Sequence, residues 1–168
     1  MPLQIINSFA TWILKKRIHQ MELFLKYPHE VQEELLFNLI KASENTQLGK
    51  KYDFSSMKSY TSFSERIPVS SYEELEPLIE KTRQGEQNVF WHSNIKWFAK
   101  SSGTTNAKSK FIPVSSEALE NCHYKASKDL LCLYLNNNEE SQMFTGKSLR
   151  LGGSKQLYEN NNTFFGDL

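Results

Sequence analysis

The chain has 168 residues, enough for one domain with a real core, and its 39% hydrophobic and 23% charged residues mark a globular rather than a disordered protein. Twenty lysines and arginines against nineteen aspartates and glutamates give a formal charge of +1, which leaves no electrostatic footprint for nucleic acid or an anionic membrane as the main partner. Cys122 and Cys132 fall in one predicted helix, about 15 Å apart and beyond disulfide reach, so they read as thiols of a reducing compartment. His19, His29, His92 and His123 are scattered and make no cluster with zinc spacing, so no metal site is expected.

Near the start, Phe9–Leu14 is a short apolar run followed by Lys15-Lys16-Arg17. A secretory signal has its charges before a longer apolar core, and no stretch approaches the ~20 apolar residues of a membrane span, so the expected location is the cytoplasm. Ile5, Ile6, Phe9, Trp12 and Ile13 recur at helical spacing, and Ile18, Met21, Phe24 and Leu25 continue the stripe. One long amphipathic helix ending near Tyr27-Pro28 is predicted, with that stripe facing a core. A membrane-surface helix is the weaker reading, because the basic cluster is compact and Glu22 interrupts it.

A second helix is predicted from about His29 to Thr46, opened by Pro28 and stopped by Gly49, with Val31, Leu35, Leu36, Leu39 and Ile40 as its apolar face. Asp53–Ser64 reads as a loop and Ile67-Pro68-Val69 as a short extended piece. Ser70 or Ser71 then caps a helix with Glu73 and Glu74 in its first turn, ending at Gly85. Val89-Phe90-Trp91 and Ile95–Ala99 carry the aromatic and β-branched signature of strands. After a Ser/Gly/Thr loop come an extended run Lys110–Val114, a helix from about Ser116 to Leu135 broken by Asn136-Asn137-Asn138, and a strand at Leu149-Arg150-Leu151 closed by Gly152-Gly153. Thr163–Leu168 stops inside an apolar, strand-like run, as though cut there, so uncovered apolar surface and self-association are expected. Residues 1–168 thus read as a single incomplete amino-terminal α/β domain, helical over 1–86 and strand–loop–strand–helix over 87–168. Its sheet should draw on strands near 95–99, 110–114 and 148–152.

The segment Lys100–Lys110 carries the chemistry. Four hydroxyls surround Gly103, and Lys108 and Lys110 follow, so the loop can offer O–H donors, backbone N–H donors and positive charge to a small anion. The preceding strand would set it at a carboxyl end, where open α/β sheets bind ligands. A Walker-type P-loop is excluded: Lys108 stands where its second glycine belongs, and Pro113 forces a strand where that motif opens a helix. On composition alone, a polar surface loop without a ligand remains as plausible as a phosphate site.

The run SSGTTNAKSKFIPV, however, resembles the phosphate-binding signature of the adenylate-forming superfamily. More narrowly, it is similar to that of the auxin-responsive-promoter (Gretchen Hagen type) family of acyl-acid–amido synthetases. Ser101, Ser102, Gly103, Thr104, Thr105 and Lys110 match position by position, and Ser154-Lys155-Gln156 and Gly166 resemble the family's next region. The likeness is tightest over 97–115 and 146–168. It departs where many members keep a second glycine and this chain has Asn106 or Ala107, though asparagine tolerates left-handed backbone.

The resemblance implies the amino-terminal part of the large adenylate-forming domain, long helices on a mixed sheet. It implies ATP with Mg²⁺, a small carboxylic acid and an amino acid as partners, and a phosphate loop in which Thr104 and Lys110 act on the pyrophosphate leaving group. It also implies acyl-pocket side chains on the following helix, where His123 and Tyr124 are the candidates, although a helical aromatic is more often core. The adenine and ribose motifs and the mobile carboxyl-terminal domain would lie beyond Leu168, so this chain is not expected to complete the reaction alone. Two other readings stay open on the residues themselves: a non-catalytic nucleotide- or acyl-binding module, and a structural helical domain with an incidental Ser/Thr loop.

Overall fold

The structure is a computed structural model that describes residues 2–101, 109–147, 149, 157–160 and 162–167. It divides into two compact units, Met1–Val31 with Glu117–Leu151 and Gln32–Ser116 with Gly152–Leu168. Helices accompany a mixed four-stranded sheet, the α/β class expected.

In the first unit the predicted long helix is two helices, α1 (Pro2–Lys15) and α2 (Ile18–Lys26). The break has a tertiary cause. The Arg17 N–H turns back to the Leu14 carbonyl at 3.0 Å, and the same carbonyl accepts the Cys132 thiol. Burial pushes that thiol up, which keeps it the protonated donor this bond needs. The Arg17 guanidinium is held by both oxygens of Asp129, at 2.7 and 3.2 Å, a forked geometry that only arginine offers. Cys132 and Asp129 lie on α8 (Lys125–Asn137), which packs against α1 and α2.

The face α1 covers is also not the expected one. Among the described side chains of α1, Asn7, Ala10, Thr11, Leu14 and Lys15 are the better covered, while Ile5, Phe9, Trp12 and Ile13 are between 48 and 71% exposed. Small side chains permit close approach of two helices, and Asn7 adds what an apolar residue could not. Its amide donates to the Ser141 carbonyl at 3.0 Å and accepts from the Phe144 N–H at 3.3 Å, pinning the segment that follows α8. The helix leading into α8 is continuous from α7 (Ser116–Ala118) through a π turn at Leu119–Tyr124.

Helix α3 (Pro28–Ser43), most of which belongs to the second unit, starts at Pro28 as predicted but ends before Thr46, which instead caps α4 (Gln47–Lys51). Thr46 is fully buried; its hydroxyl donates to the Ser43 carbonyl at 2.7 Å and accepts the Gly49 N–H at 3.0 Å. Gly49, expected to stop α3, lies inside α4, where a Cβ would stand 2.1 Å from the Ser43 carbonyl oxygen. Two further α4 amides, Gln47 and Leu48, donate to the carbonyls of Asn88 and Val89 at 2.8 and 3.0 Å. That use of its backbone, with Asn88 in the left-handed region at φ 59°, is why Val89–Trp91 is not the predicted strand.

The expected loop Asp53–Ser64 contains a 3₁₀ turn (Phe54–Ser56) and helix α5 (Tyr60–Arg66). Ser59 and Ser62 cap α5 reciprocally, each hydroxyl accepting the other's N–H at 3.1 Å, a box with serine where glutamate is usual. Ile40, Phe54 and Met57 form the core here, with Leu36, Phe37, Leu48, Tyr52, Phe63 and Ile67 against it.

Helix α6 (Tyr72–Arg83) is as predicted: Ser71 is its cap, Glu74 closes the box by accepting the Ser71 N–H at 2.6 Å, and Gly85 follows at φ 97°. The sheet order is β2-β1-β4-β3. Strand β1 (Trp97–Lys100) pairs antiparallel with β2 (Phe111–Val114) and parallel with β4 (Thr163–Asp167), and β3 (Leu157–Asn160) forms a hairpin with β4. The predicted strand near 148–152 lies outside the described residues except for Leu149, which is in no strand. The expected strand-like end of the chain is β4. A second core joins Ile79 of α6 to Ile95 and Phe98, with Phe111 and Phe165 packed edge to face at 5.4 Å beneath the Arg83 guanidinium.

Two outcomes follow for stability. Gly49→Ala should cost about 1–3 kcal/mol by overpacking, read from the urea midpoint, since the obstructing atom is backbone and cannot swing away; an unchanged midpoint would show that the Ser43 turn yields. The Ser71 N–H and hydroxyl hold the Glu74 carboxyl below its ordinary range, and the Ser56 and Ser55 hydroxyls do the same for Asp53. A depressed folded value means that the unfolded chain takes up the proton first. The contribution is therefore complete above the ordinary carboxylate range, about pH 4–5, and is lost as pH falls through the folded values. Denaturation midpoints measured against pH should fall below that range, and Glu74→Gln should make the fall shallower.

Candidate phosphate-binding site

Strands β1 and β2 form a hairpin whose connection is the Ser/Gly/Thr segment. It leaves β1 at the carboxyl end that β1 shares with its parallel neighbour β4, the position expected for a ligand loop. Of the residues assigned to it from sequence, Ser102, Gly103, Thr104 and Thr105 lie outside the described residues. Ser101 and Lys110 are described, and they face each other across the mouth of the loop.

Their pairing adds one rung beyond the ladder. The Ser101 N–H donates to the Lys110 carbonyl at 2.9 Å, and the Ser101 hydroxyl accepts the Lys110 N–H at 3.1 Å. One lone pair of that hydroxyl is thereby used to hold the loop's two ends together, while its O–H hydrogen remains a donor. Ser101 thus has a structural role that the motif alone did not suggest.

Lys110 projects towards the start of α6. Its ammonium lies 2.9 Å from a Glu73 carboxylate oxygen and 4.8 Å from the centre of the Tyr72 ring. The ion pair draws the Glu73 carboxyl below its ordinary range, the hydrogen bond from Lys110 being the largest cause. Tyr72 in turn grips the next residue of the strand: its hydroxyl accepts the Phe111 N–H at 2.9 Å and lies 3.5 Å from the Phe111 carbonyl. Strand β2 is an edge of the sheet, and the phenol supplies the partner that a neighbouring strand would have given. Glu73 and Tyr72 were legible from sequence only as a helix's first turn, because nothing local announces a partner 37 residues away, the separation from Glu73 to Lys110.

His123 and Tyr124 belong to the first unit, in the π turn, where their rings meet edge to face at 5.5 Å. Tyr124 is 47% exposed, so it is not the core residue that a helical aromatic usually is. A π turn frees backbone from regular helical bonding and is frequent at functional sites. Among the described residues no three histidine, cysteine, aspartate or glutamate side chains converge as a metal cluster, and no helix is long and apolar enough to cross a membrane.

Comparison with known proteins matches this geometry to a family. The model of the GH3 family N-terminal domain matches residues 17–165. The chain is 28% identical over 144 residues to jasmonoyl-L-amino acid synthetase JAR4 of Nicotiana attenuata, covering 83% of this chain and 24% of that protein. It is 29% identical over 106 residues to indole-3-acetic acid-amido synthetase GH3.2 of Arabidopsis thaliana, covering 62% of this chain and 19% of that protein. Among solved structures it superposes on a GH3.15 acyl acid amido synthetase with a TM-score of 0.79 at 20% identity, over 91% of this chain and 27% of that one, a likeness of fold. The chain therefore spans about a quarter of the length of these relatives. The family resemblance first read from the serine, glycine and threonine loop extends over most of the sequence, and the chain belongs to the GH3 family, as its N-terminal domain.

Proposed function

We propose that the whole protein activates a carboxylic acid with ATP and passes the acyl group to an amine, an amino acid being the expected acceptor. The observation that carries this reading is the family match over residues 17–165, and relatives named for joining jasmonic or indole-3-acetic acid to an amino group support it. In the first half-reaction a carboxylate oxygen bonds to the α-phosphorus, the α–β phosphoanhydride bond breaks, and pyrophosphate leaves. In the second, the amine nitrogen bonds to the acyl carbon, the bond to AMP breaks, and the amine loses a proton.

Charge grows on pyrophosphate as it departs, and donors aimed at that charge lower the barrier. On this reading Thr104 supplies a hydroxyl and Lys110 a positive point charge, while Ser101, Ser102, Gly103 and Thr105 shape the loop and contribute hydroxyl or backbone donors. The Mg²⁺ that accompanies ATP would enter on the nucleotide's own phosphates. Tyr124 and His123, both exposed, are proposed acyl-side contacts, and the cytoplasm is the proposed location.

The test is pyrophosphate exchange into ATP by the whole protein, dependent on added acid. Thr104→Val and Lys110→Ala should each lower kcat for adenylation by on the order of 10²–10³, by analogy with removal of an oxyanion donor, with little change in KM for the acid. The second half-reaction, started from preformed acyl-adenylate, should be nearly spared, because pyrophosphate takes no part in it. Equal losses in both halves would give the loop a folding role and remove the phosphate assignment.

A further inference from the structure

We infer that Glu73 is a resident counterion for Lys110, holding the ammonium at the mouth of the loop until a polyphosphate displaces it, and so setting how tightly nucleotide phosphates bind. The inference rests on the phosphate reading of the loop and adds to it a residue outside the motif.

Four observations carry it. The capping box of α6 is closed by the neighbouring Glu74, so Glu73 is not its capping carboxylate, although it also accepts from its own N–H and from the Ser71 hydroxyl. The position suits an anion, being in the first turn of a twelve-residue helix and 2.9 Å from a lysine nitrogen. The lysine is positioned by its surroundings. Its backbone is bonded to Ser101, the next residue is gripped by Tyr72, and its ammonium lies 4.8 Å from the Tyr72 ring centre. Glu73 therefore meets a lysine whose backbone is already fixed, and orders its ammonium.

The pair is also exposed, with side-chain accessibilities of 45% for Lys110 and 67% for Glu73. An exposed ion pair of this kind is weak, because water and salt screen it, so another anion can replace it at small cost. A buried pair could not be exchanged in this way, since its separated charges would be left unsolvated. A polyphosphate carries more charge than one carboxylate and takes Lys110 from it. The displaced Glu73 then stays close to the new anion and repels it. Its carboxylate keeps Lys110 ordered while the loop is empty and opposes phosphate binding when the loop is filled.

The test is a titration of the whole protein with inorganic pyrophosphate at fixed salt, following the Lys110 ammonium signal by NMR and the affinity by calorimetry, for wild type, Glu73→Gln, Lys110→Ala and the double variant. Glu73→Gln removes charge, keeps the side chain's length and an amide oxygen that can still accept from the first turn, and leaves the Ser71–Glu74 box in place. It should tighten pyrophosphate binding by about two- to fivefold, the range that release of an exposed ion pair allows. The gain should vanish in the Lys110→Ala background, and the Lys110 signal should move on adding pyrophosphate. A merely structural Glu73 would not yield a tighter complex that depends on Lys110. Weaker binding by Lys110→Ala with no gain from Glu73→Gln would overturn the counterion role and leave the phosphate reading standing. Pyrophosphate binding unaffected by Lys110→Ala would remove the phosphate reading of Lys110, and this inference with it.

Discussion

The hydroxyl of Tyr72 holds together the mouth of the candidate phosphate loop. A phenol at the first position of α6 meets the backbone of Phe111 at the edge of the sheet, accepting its N–H at 2.9 Å. That contact ties a helix start to a strand start, and the residue just before the strand is Lys110. From it follow the placing of Lys110 beside Glu73, the covering of an unpaired sheet edge, and the packing of α6 through Ile79 onto Ile95 and Phe98. A backbone amide left without a partner on a buried or half-buried edge is costly, so the geometry of this junction is strongly specified.

The first unit illustrates a different constraint, close approach. Helix α1 turns its small and polar residues, Asn7, Ala10 and Thr11 with Leu14, to its better-covered side and leaves the larger Phe9 and Trp12 in solvent, stacked on one another at 6.1 Å. Apolar burial favours the opposite choice. What offsets it is a set of directional bonds, from Asn7 to Ser141 and Phe144, from Arg17 to Asp129 and from Cys132 to the Leu14 carbonyl. Each demands a particular face, and together they also account for the break between α1 and α2. In the second unit Gly49 answers to the same constraint: the Ser43 carbonyl occupies the place a side chain would take.

The candidate site combines both kinds of constraint. Its two described loop ends are joined by a side-chain rung between Ser101 and Lys110, and its cation is shared with a carboxylate from another element. The rung fixes the two ends from which the loop's hydroxyl and backbone donors are presented. That arrangement fits a role in which donors must be oriented before charge develops. The exposed pair of Glu73 and Lys110 is the adjustable part, because its charges are screened and exchangeable where the rung beneath them is not.

Much of this was legible in the sequence wherever the determining interaction is local. Ser71 and Glu74 stand three residues apart and cap α6; Pro28 opens α3; the asparagine run ends α8; Pro113 makes the loop a hairpin rather than a helix-opening P-loop. The loop motif, with the stretch around Ser154-Lys155-Gln156, carried the resemblance to the family that the match over residues 17–165 shows. What the sequence could not decide were choices made by distant partners. Val89 looked like a strand residue until its carbonyl was needed by α4, and Gly49 looked like a helix stop until its packing against Ser43 was seen. The stripe on α1 signalled a helix correctly, but its described members Ile5, Phe9, Trp12 and Ile13 lie exposed, since periodicity records where apolar residues lie and not which side finds hydrogen-bond partners. Glu73 was visible as a helix's first-turn acid; only the tertiary structure, by bringing α6 to the edge of β2, made it the partner of Lys110.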